Sequence, residues 1–233
     1  LEVVKAIYKT GVRIPSICFS GHRRYPLGSN DPVIEEKSLE LMKKCIELAQ
    51  DLGVRTIQLA GYDVYYEEKS PQTRQRFIKN LRKACDWAEE AQVVLAIEIM
   101  DDPFINSIEK YLAVEKEIDS PYLFVYPDIG NVSAWHNDVY SEFYLGHHAI
   151  AALHLKDTYA VTESSKGQFR DVPFGQGCVK WEEAFDILKQ TNYNGPFLIE
   201  MWSENCETVE ETRAAIQEAQ AFLYPLIKKA GLM

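Results

Sequence analysis

The fold is decided by the stretch Val93-Val94-Leu95-Ala96-Ile97-Glu98, a run of apolar residues that ends in a carboxylate. Such a short continuous apolar run predicts a strand buried on both faces, as in a parallel sheet. Similar runs lead to Asp128, His154 and Glu200. A carboxylate that ends a buried strand is costly unless a positive group meets it, and three carboxylates with one imidazole suit a divalent cation. The sequence therefore predicts a metal site on parallel strands.

Segments with apolar residues at helical spacing lie between these runs. The segment Val33 to Leu52 carries a stripe of Leu41, Cys45, Leu48 and Leu52 and stops at Gly53. The next helix is predicted to begin with Ser70 as N-cap and Pro71 as first helical residue. Further helices are predicted at Leu1 to Lys9, Ser107 to Ile118, Val139 to His148, Trp181 to Gln190 and Val209 to Lys229.

Strands that alternate with helices predict right-handed β-α-β units and a parallel sheet, hence the α/β class. All the strand-end polar residues fall at carboxyl ends, which favours a (β/α)8 TIM barrel over an open doubly wound sheet. Only six strands are predicted, beginning near Arg13, Arg55, Val93, Tyr122, Ala151 and Phe197. We therefore expect one TIM-barrel-like domain over residues 1–233 that lacks the first two strands and the first helix.

Composition narrows the classes of function. The chain has 233 residues, a net charge of -10 and a pI near 5.1. This acidic balance disfavours a nucleic-acid partner, because the protein would have to overcome its own field. The five cysteines are scattered without a Cys-x-x-Cys pair, and no apolar stretch is long enough to span a membrane. We expect a cytoplasmic protein that does not bind membranes.

Several segments closely resemble the L-ribulose-5-phosphate 3-epimerases, also called L-xylulose-5-phosphate 3-epimerases, of the xylose-isomerase-like TIM barrels. The resemblance runs over nearly the whole chain and includes all four predicted ligands. It also implies that two strands and a helix at the amino end of family members are absent here. The segments are Ile57-Gln58-Leu59-Ala60-Gly61-Tyr62-Asp63, Ile97-Glu98-Ile99-Met100-Asp101, Tyr126-Pro127-Asp128-Ile129-Gly130-Asn131, His154-Leu155-Lys156-Asp157, Phe169-Arg170-Asp171-Val172-Pro173-Phe174-Gly175 and Leu198-Ile199-Glu200-Met201-Trp202.

The resemblance implies an isomerase of pentose metabolism that interconverts L-xylulose 5-phosphate and L-ribulose 5-phosphate. Its substrate is a small phosphorylated ketopentose that loses the C3 proton to give an enediolate. One divalent ion would be held by Glu98, Asp128, His154 and Glu200, with Glu98 and Glu200 alternating as base and acid. This ligand set does not distinguish Zn²⁺, Mn²⁺, Mg²⁺ and Co²⁺. The oligomeric state, a homodimer included, stays open.

Some of the basic residues nearest the predicted rim are expected to hold the 5-phosphate, because guanidinium and ammonium groups suit phosphate oxygens. The opposing interpretation is that the run from His22 to Arg24 is a solvated turn. Free-sugar 3-epimerases of the wider family carry a His and an Arg where this chain has Asn131 and Ala160, which favours a phosphorylated substrate. The phosphate candidates are His22, Arg23, Arg24, Lys156 and Arg170.

Each candidate also has a structural interpretation. A single strand-end acid often pairs with a nearby cation, and a single His is more often a core residue than a ligand. The long connection from Asp157 to Cys178 is typical of a lid or a binding loop. Two other functions stay open: a metal-dependent phosphodiesterase of the apurinic-endonuclease type, and a sugar-phosphate binder without catalysis. Aromatic residues that could shape a sugar pocket or simply pack are Tyr62, Tyr65, Tyr66, Trp135 and Trp202.

Overall fold

A computed structural model describes residues 2–233; Leu1, the first residue of the first predicted helix, lies outside the described residues. Helices and strands alternate along most of the chain. In chain order they are α1 (Glu2–Thr10), β1 (Ser16–Phe19), α2 (Gly21–Arg24), α3 (Pro32–Leu52), β2 (Thr56–Ala60), α4 (Pro71–Ala91), β3 (Val94–Glu98), α5 (Ile108–Ile118), β4 (Leu123–Tyr126), α6 (Ile129–Ala134), α7 (Val139–Gly146), β5 (Leu153–Leu155), β6 (Asp157–Tyr159), β7 (Gln168–Val172), α8 (Trp181–Gln190), β8 (Phe197–Ile199) and α9 (Val209–Ala230). A 3₁₀ turn, His147–Ala149, follows α7.

All six predicted strands are present, although several begin one to three residues later than expected. The first begins at Ser16 rather than near Arg13. It follows Pro15, whose nitrogen carries no hydrogen and cannot donate to a neighbouring strand. The ends of the helices follow local capping chemistry closely. In α4, Ser70 and Thr73 form the reciprocal hydrogen bonds of a capping box, and Pro71 is the first helical residue, as predicted.

The structure divides into two compact units, and the first comprises residues 2–98 and 110–125. Its sheet has β2 parallel to both β1 and β3, and the pairing ends with Ala60 opposite Glu98. Adjacent residues in the middle of β3, Leu95 and Ala96, face opposite sides of the sheet and are both fully buried, as is Ile57 of β2. Burial on both faces of these strands confirms the parallel-sheet interpretation of the apolar runs.

The second unit comprises Ile99–Glu109 and Tyr126–Met233. Within it, β5 runs parallel to β8, with His154 opposite Leu198. Asp128, which follows β4, forms a parallel bridge with His154. Trp181, Phe185 and Phe222 form an aromatic cluster between α8 and α9. The carboxyl ends of β5 and β8 therefore lie side by side, close to Asp128.

The long connection after β5 is more ordered than the sequence indicates. Its residues form the antiparallel pair β6 and β7, with Asp157 opposite Val172 and Tyr159 opposite Gln168. The sequence analysis predicts only a loop here, because Lys166, Gly167 and their polar neighbours interrupt any strand pattern. The short helices α2 and α6 also lie in segments where no helix is predicted. The expectation of one domain lacking two strands and a helix stays a prediction.

Candidate active site

Three of the four predicted ligands converge within the second unit. Asp128 is the N-cap of α6, and its side chain accepts a 2.7 Å hydrogen bond from the backbone nitrogen of Asn131. His154 lies in the middle of β5, and Glu200 follows the last residue of β8. The backbone nitrogen of Glu200 donates to Leu155 O at 3.0 Å, which extends the strand pairing to the residue that carries the carboxylate. The strand ends therefore hold these side chains in place through backbone hydrogen bonds.

The geometry of these three side chains fits a divalent ion. His154 Nδ1 lies 3.5 Å from Glu200 Oε2 and 3.9 Å from Asp128 Oδ2, and one ligand atom from each residue lies within 4.8 Å of the others. Ligands about 2.1 Å from a shared ion lie up to about 4.2 Å apart, so little movement is needed. Asp128 Oδ2 is buried and accepts no hydrogen bond from the described residues, although the Lys156 ammonium group lies 3.1 Å away as an ion-pair partner. A buried oxygen of this kind is suited to a cation.

Lys156 supplies a positive charge to the same carboxylates. Its Nζ lies 2.9 Å from Glu200 Oε2 and 3.1 Å from Asp128 Oδ2, and the lysine side chain is 8% exposed. Lys156 is one of the phosphate candidates chosen for their position near the predicted rim, and in the structure its ammonium group contacts the two acids. The phosphate role of Lys156 stays a prediction, but the charge balance of the acids already depends on this residue.

The two acids have pKa values shifted in opposite directions. Burial raises the pKa of Asp128 well above its ordinary value, although the positive charge of Lys156 opposes the shift. Burial also tends to raise the pKa of Glu200, but the hydrogen bond from His154 and the charge of Lys156 outweigh it and hold the pKa below its ordinary value. Glu200 is therefore ionised at neutral pH and able to accept a proton.

Glu98, the fourth predicted ligand, belongs to the first unit. It is the last residue of β3, is 5% exposed, and accepts a short hydrogen bond from Gln58 Nε2 of the neighbouring strand β2. Gln58 is itself buried, and its Oε1 has no hydrogen-bond partner among the described residues. The sequence analysis gave Gln58 no role. The available signal was one polar residue inside the apolar run Ile57 to Ala60.

A cavity of about 590 Å³ adjoins Glu200 and Lys156 in the second unit. One side of it carries Trp202, with the Arg170 guanidinium 4.6 Å from the ring centre and Lys156 Nζ 5.3 Å from it. Pro173 and Phe174, which follow β7, form part of the apolar lining. Arg170 is exposed and lies beside the cavity, where an anionic group could reach it. Trp202 therefore orients a guanidinium group here through a cation–π contact.

The other basic candidates, in the first unit, differ from one another. Burial, opposed by a hydrogen bond with the backbone of Ser38, lowers the pKa of His22 to about 3. That imidazole is neutral at pH 7 and could offer phosphate a hydrogen bond but no charge. Arg23 lies over the rings of Tyr62 and Tyr65, 5.9 and 5.1 Å from their centres. Arg24 is exposed, which agrees with the solvated-turn interpretation for this residue.

Asp157, the first residue of β6, organises the segment that forms the cavity wall. Its carboxylate is 2% exposed and accepts hydrogen bonds from five donors. They are the backbone nitrogens of Thr158, Gly175, Gly177 and Val179 and the indole nitrogen of Trp181. From the sequence, Asp157 has no predicted role beyond its place in a family-like segment and at the start of the long connection.

Comparison with known proteins identifies the family. The model of the xylose isomerase-like TIM barrel family matches residues 1–226. The chain belongs to this family. Family membership confirms the predicted TIM-barrel class and gives the order of strands and helices its meaning, because barrel enzymes carry their chemistry at the carboxyl ends of the strands. The xylose isomerase-like barrel is thus the scaffold on which the acids and the imidazole are arranged.

Curated relatives of this barrel are close in sequence. L-ribulose-5-phosphate 3-epimerase UlaE of Escherichia coli O157:H7 is 48% identical over 233 residues, which cover 100% of this chain and 79% of the relative. The SgbU protein of Haemophilus influenzae is 52% identical over 229 residues, 98% of this chain and 79% of the relative. The predicted enzyme class, an isomerase of the epimerase type, is confirmed.

Solved structures support the fold independently. The structure of an L-ribulose 3-epimerase matches with a TM-score of 0.78 at 18% identity, covering 98% of this chain and 80% of the other. A D-allulose 3-epimerase from Methylomonas matches with a TM-score of 0.74 at 18% identity, covering 97% and 80%. At this identity the likeness concerns the barrel fold alone. No helix among residues 2–233 has the length and apolar character needed to cross a membrane.

Proposed function

We propose that this protein is a divalent-metal-dependent 3-epimerase that interconverts L-ribulose 5-phosphate and L-xylulose 5-phosphate. One observation carries the proposal: Asp128, His154 and Glu200 offer ligand atoms within 4.8 Å of one another, in a chain 48% identical to an L-ribulose-5-phosphate 3-epimerase. Two carboxylates and an imidazole form a mixed oxygen and nitrogen site that suits Mn²⁺, Mg²⁺, Co²⁺ or Zn²⁺.

We further propose that Glu98 completes the ligand set. It ends β3 with its carboxylate buried and held by Gln58. Its chain neighbour Ile99 donates a 3.3 Å hydrogen bond to Tyr126 O, two residues before Asp128. Consecutive parallel strands of a barrel end at one rim, so their terminal side chains point to a common centre. These relations support a site of three acids and one histidine.

The proposed reaction moves one proton at C3 of the sugar. A divalent ion, when bound, polarises the C2 carbonyl and offsets the negative charge that develops on the sugar oxygens. Glu200, which is ionised at neutral pH, takes the C3 proton from one face and leaves an enediolate. Glu98, carrying a proton at the start of this direction, donates it to C3 from the other face, and the roles exchange in the reverse direction. The C3–H bond broken on one face is thus replaced by a C3–H bond on the other. Glu200 ends with the proton taken from the sugar and Glu98 without its own, so exchange of one proton with solvent at each acid restores the enzyme.

The phosphate is proposed to lie near Arg170, with His22, Arg23, Arg24 and Lys156 as further candidates. The Arg170 guanidinium, stacked on Trp202 beside the cavity, supports this assignment most directly. A planar guanidinium can bind two phosphate oxygens at once, whereas an ammonium group acts as a point charge. The substrate is therefore expected to lie between the acids at one end and Arg170 at the other.

Proton exchange tests this function. The protein is incubated in D₂O with L-ribulose 5-phosphate and Mn²⁺, and deuterium at C3 and the appearance of L-xylulose 5-phosphate are followed by NMR. We expect both, and we expect a chelator to abolish both. A sugar-phosphate binder without catalysis would bind the substrate and show no exchange, while cleavage of DNA with abasic sites would favour the phosphodiesterase.

Substitution of the proposed base sharpens the test. Glu200→Gln is expected to abolish exchange while the fold, measured by circular dichroism, is retained. Glu204→Gln removes the same charge from an exposed residue of the following loop and is expected to exchange as the parent does. Near-normal turnover by Glu200→Gln would refute the role assigned to Glu200.

A further inference from the structure

The carboxylate of Asp157 is a second anchoring point close to the acids, and no ligand or catalytic role accounts for it. Its Oδ2 accepts from Gly175 N at 2.8 Å, from Gly177 N at 3.1 Å and from the Trp181 indole at 3.4 Å. Its Oδ1 accepts from Thr158 N at 3.0 Å and from Val179 N at 3.3 Å. One buried side chain therefore satisfies donors from four places along residues 175–181 and one from its own strand.

The backbone around this carboxylate has little spare room. A Cβ on Gly177 would overlap Asp157 Oδ1, and a Cβ on Gly175, whose φ is +81°, would meet the ring of Phe222 at 2.6 Å. Glycine at 177 allows the backbone to approach the acid closely, and glycine at 175 allows a left-handed backbone conformation against Phe222. The segment from Gly175 to Val179 is thus fitted to Asp157 rather than resting loosely beside it.

The anchored segment leads directly to the cavity wall. Pro173 and Phe174 line the cavity and immediately precede Gly175. On the other limb, β7 carries Arg170 and pairs with β6 through Val172 opposite Asp157. Asp157 therefore lies where both limbs of the connection meet, and its position in the chain directly follows Lys156, which contacts Asp128 and Glu200.

We propose that Asp157 is a positioning residue that keeps residues 168–179 in place, so that Arg170 and the Pro173–Phe174 wall are preformed for the substrate. This inference rests on the proposed function for the identity of the substrate. Preorganisation of this kind lowers the cost of binding, because the loop does not have to be ordered when the sugar phosphate arrives. Its loss raises KM and leaves the chemistry of Glu98 and Glu200 largely unchanged.

Asp157→Asn tests the proposal, because asparagine keeps the shape but replaces one acceptor oxygen by an NH₂ group that cannot accept. We expect KM for L-ribulose 5-phosphate to rise about tenfold while kcat stays within about twofold, since uniform binding is what is lost. The affinity for Mn²⁺, measured by calorimetry, is expected to stay unchanged. Glu163→Gln removes a charge from the exposed tip of the same hairpin and leaves both constants at the parental values.

A second variant approaches the same contact from the other side. Gly177→Ala places a methyl group against the Asp157 carboxylate and is expected to give the same rise in KM without a matching fall in kcat. Hydrogen exchange gives a readout that needs no turnover: the amides of Gly175, Gly177 and Val179 lose protection in Asp157→Asn, while those of α4 keep theirs.

The outcomes separate this inference from the proposed function. An unchanged KM, or a fall in kcat with KM unchanged, overturns the positioning role, and so does full amide protection in Asp157→Asn. If the parent protein neither binds nor converts L-ribulose 5-phosphate, the proposed function fails on that measurement alone. In that event hydrogen exchange of Asp157→Asn tests the inference. Amide protection lost only between residues 168 and 179 supports Asp157 as the anchor of the segment, and amide protection retained there overturns it.

Discussion

Lys156 Nζ donates a 2.9 Å hydrogen bond to Glu200 Oε2, and both side chains are largely shielded from solvent, at 8% and 23% exposure. Ion pairs in such surroundings are stronger than those on the surface, because less water screens them. The same ammonium group lies 3.1 Å from Asp128. The charge of Lys156, together with the hydrogen bond from His154, therefore opposes the effect of burial and helps to hold the pKa of the proposed base below its ordinary value.

Replacement of Lys156 by Met should move the pH dependence of exchange. Glu200 has a lowered pKa, partly through Lys156, so loss of the charge raises that pKa and protonates the base at a higher pH. Because the pKa of Glu200 in the parent lies well below its ordinary value, the parent is expected to keep its rate down to pH 4. The variant, whose pKa is about one unit or more higher, should lose rate toward the acidic end of the profile. The profile of kcat/KM between pH 4 and 9 measures this. Lys166→Met, exposed in the hairpin turn, is the control, and a variant profile that matches the parent at acidic pH would contradict the prediction.

Asp128→Asn should affect stability in opposite ways with and without metal. Burial raises the folded-state pKa of Asp128, so its contribution to stability is present at low pH and is lost as pH rises through that pKa. Without metal at pH 7 the variant is therefore expected to be at least as stable as the parent. With free Mn²⁺ at 100 times Kd the parent gains about 2.7 kcal/mol, and the variant gains clearly less.

Urea unfolding with chelator and with Mn²⁺ measures both effects of Asp128→Asn. Asp51→Asn, on the exposed face of α3, should leave the metal-dependent gain intact. If Mn²⁺ stabilises Asp128→Asn as much as it stabilises the parent, Asp128 is not a metal ligand.

Gln58→Met should weaken metal binding although it leaves every proposed metal ligand in the sequence unchanged. Gln58 donates to Glu98 within the first unit, and residues that orient metal ligands commonly contribute about 10- to 100-fold to metal affinity. Calorimetry with Mn²⁺ is expected to show a loss in that range. Gln50→Met, on an exposed part of α3, serves as the control, and unchanged affinity in Gln58→Met would argue against Glu98 as a ligand.

Arg170→Met should discriminate between phosphorylated and free sugars. If the guanidinium over Trp202 binds the phosphate, KM for L-ribulose 5-phosphate rises about tenfold or more, as expected for a lost charge-assisted contact. Turnover of L-ribulose, which carries no phosphate, should be the same in the variant and the parent. Lys116→Met removes one exposed positive charge from α5 and controls for net charge. An equal loss of kcat/KM on the phosphorylated and the free sugar would show that Arg170 does not act through the phosphate.

The features that depend on neighbouring residues, such as the ends of helices, were predicted best from the sequence. The start of α4 at Pro71 after the cap Ser70, and the bounds of α8 at Trp181 and Gln190, agree with prediction. Caps and prolines act through neighbouring residues, so no knowledge of the tertiary structure is needed. The ends of the apolar runs likewise identified Asp128, His154 and Glu200, which the structure brings together.

It was harder to predict which face of a helix is buried and which groups the charged side chains contact. The predicted stripe on α3 included Leu48, which is 45% exposed, while Met42, Ile46 and Ala49 are buried instead. Two helical stripes pass through Cys45, and only packing against the sheet decides between them. Lys156 and Asp157 were equally ambiguous, because the partner of a charged side chain lies far away in sequence. Loop residues such as Gly175 and Gly177 carry no periodic signal that would reveal a common acceptor.

The alternation of side chains after Leu153 has a consequence for how this barrel can vary. His154 and Lys156 point to the acids, while Asp157 points to the amides of residues 175–179. Side chains of an extended strand alternate with a period of two, so a one-residue deletion here would turn each of these groups to the wrong side. Single substitutions can change one of these contacts at a time. Deletion of one residue would disrupt both the candidate metal centre and the hydrogen bonds that hold residues 175–179.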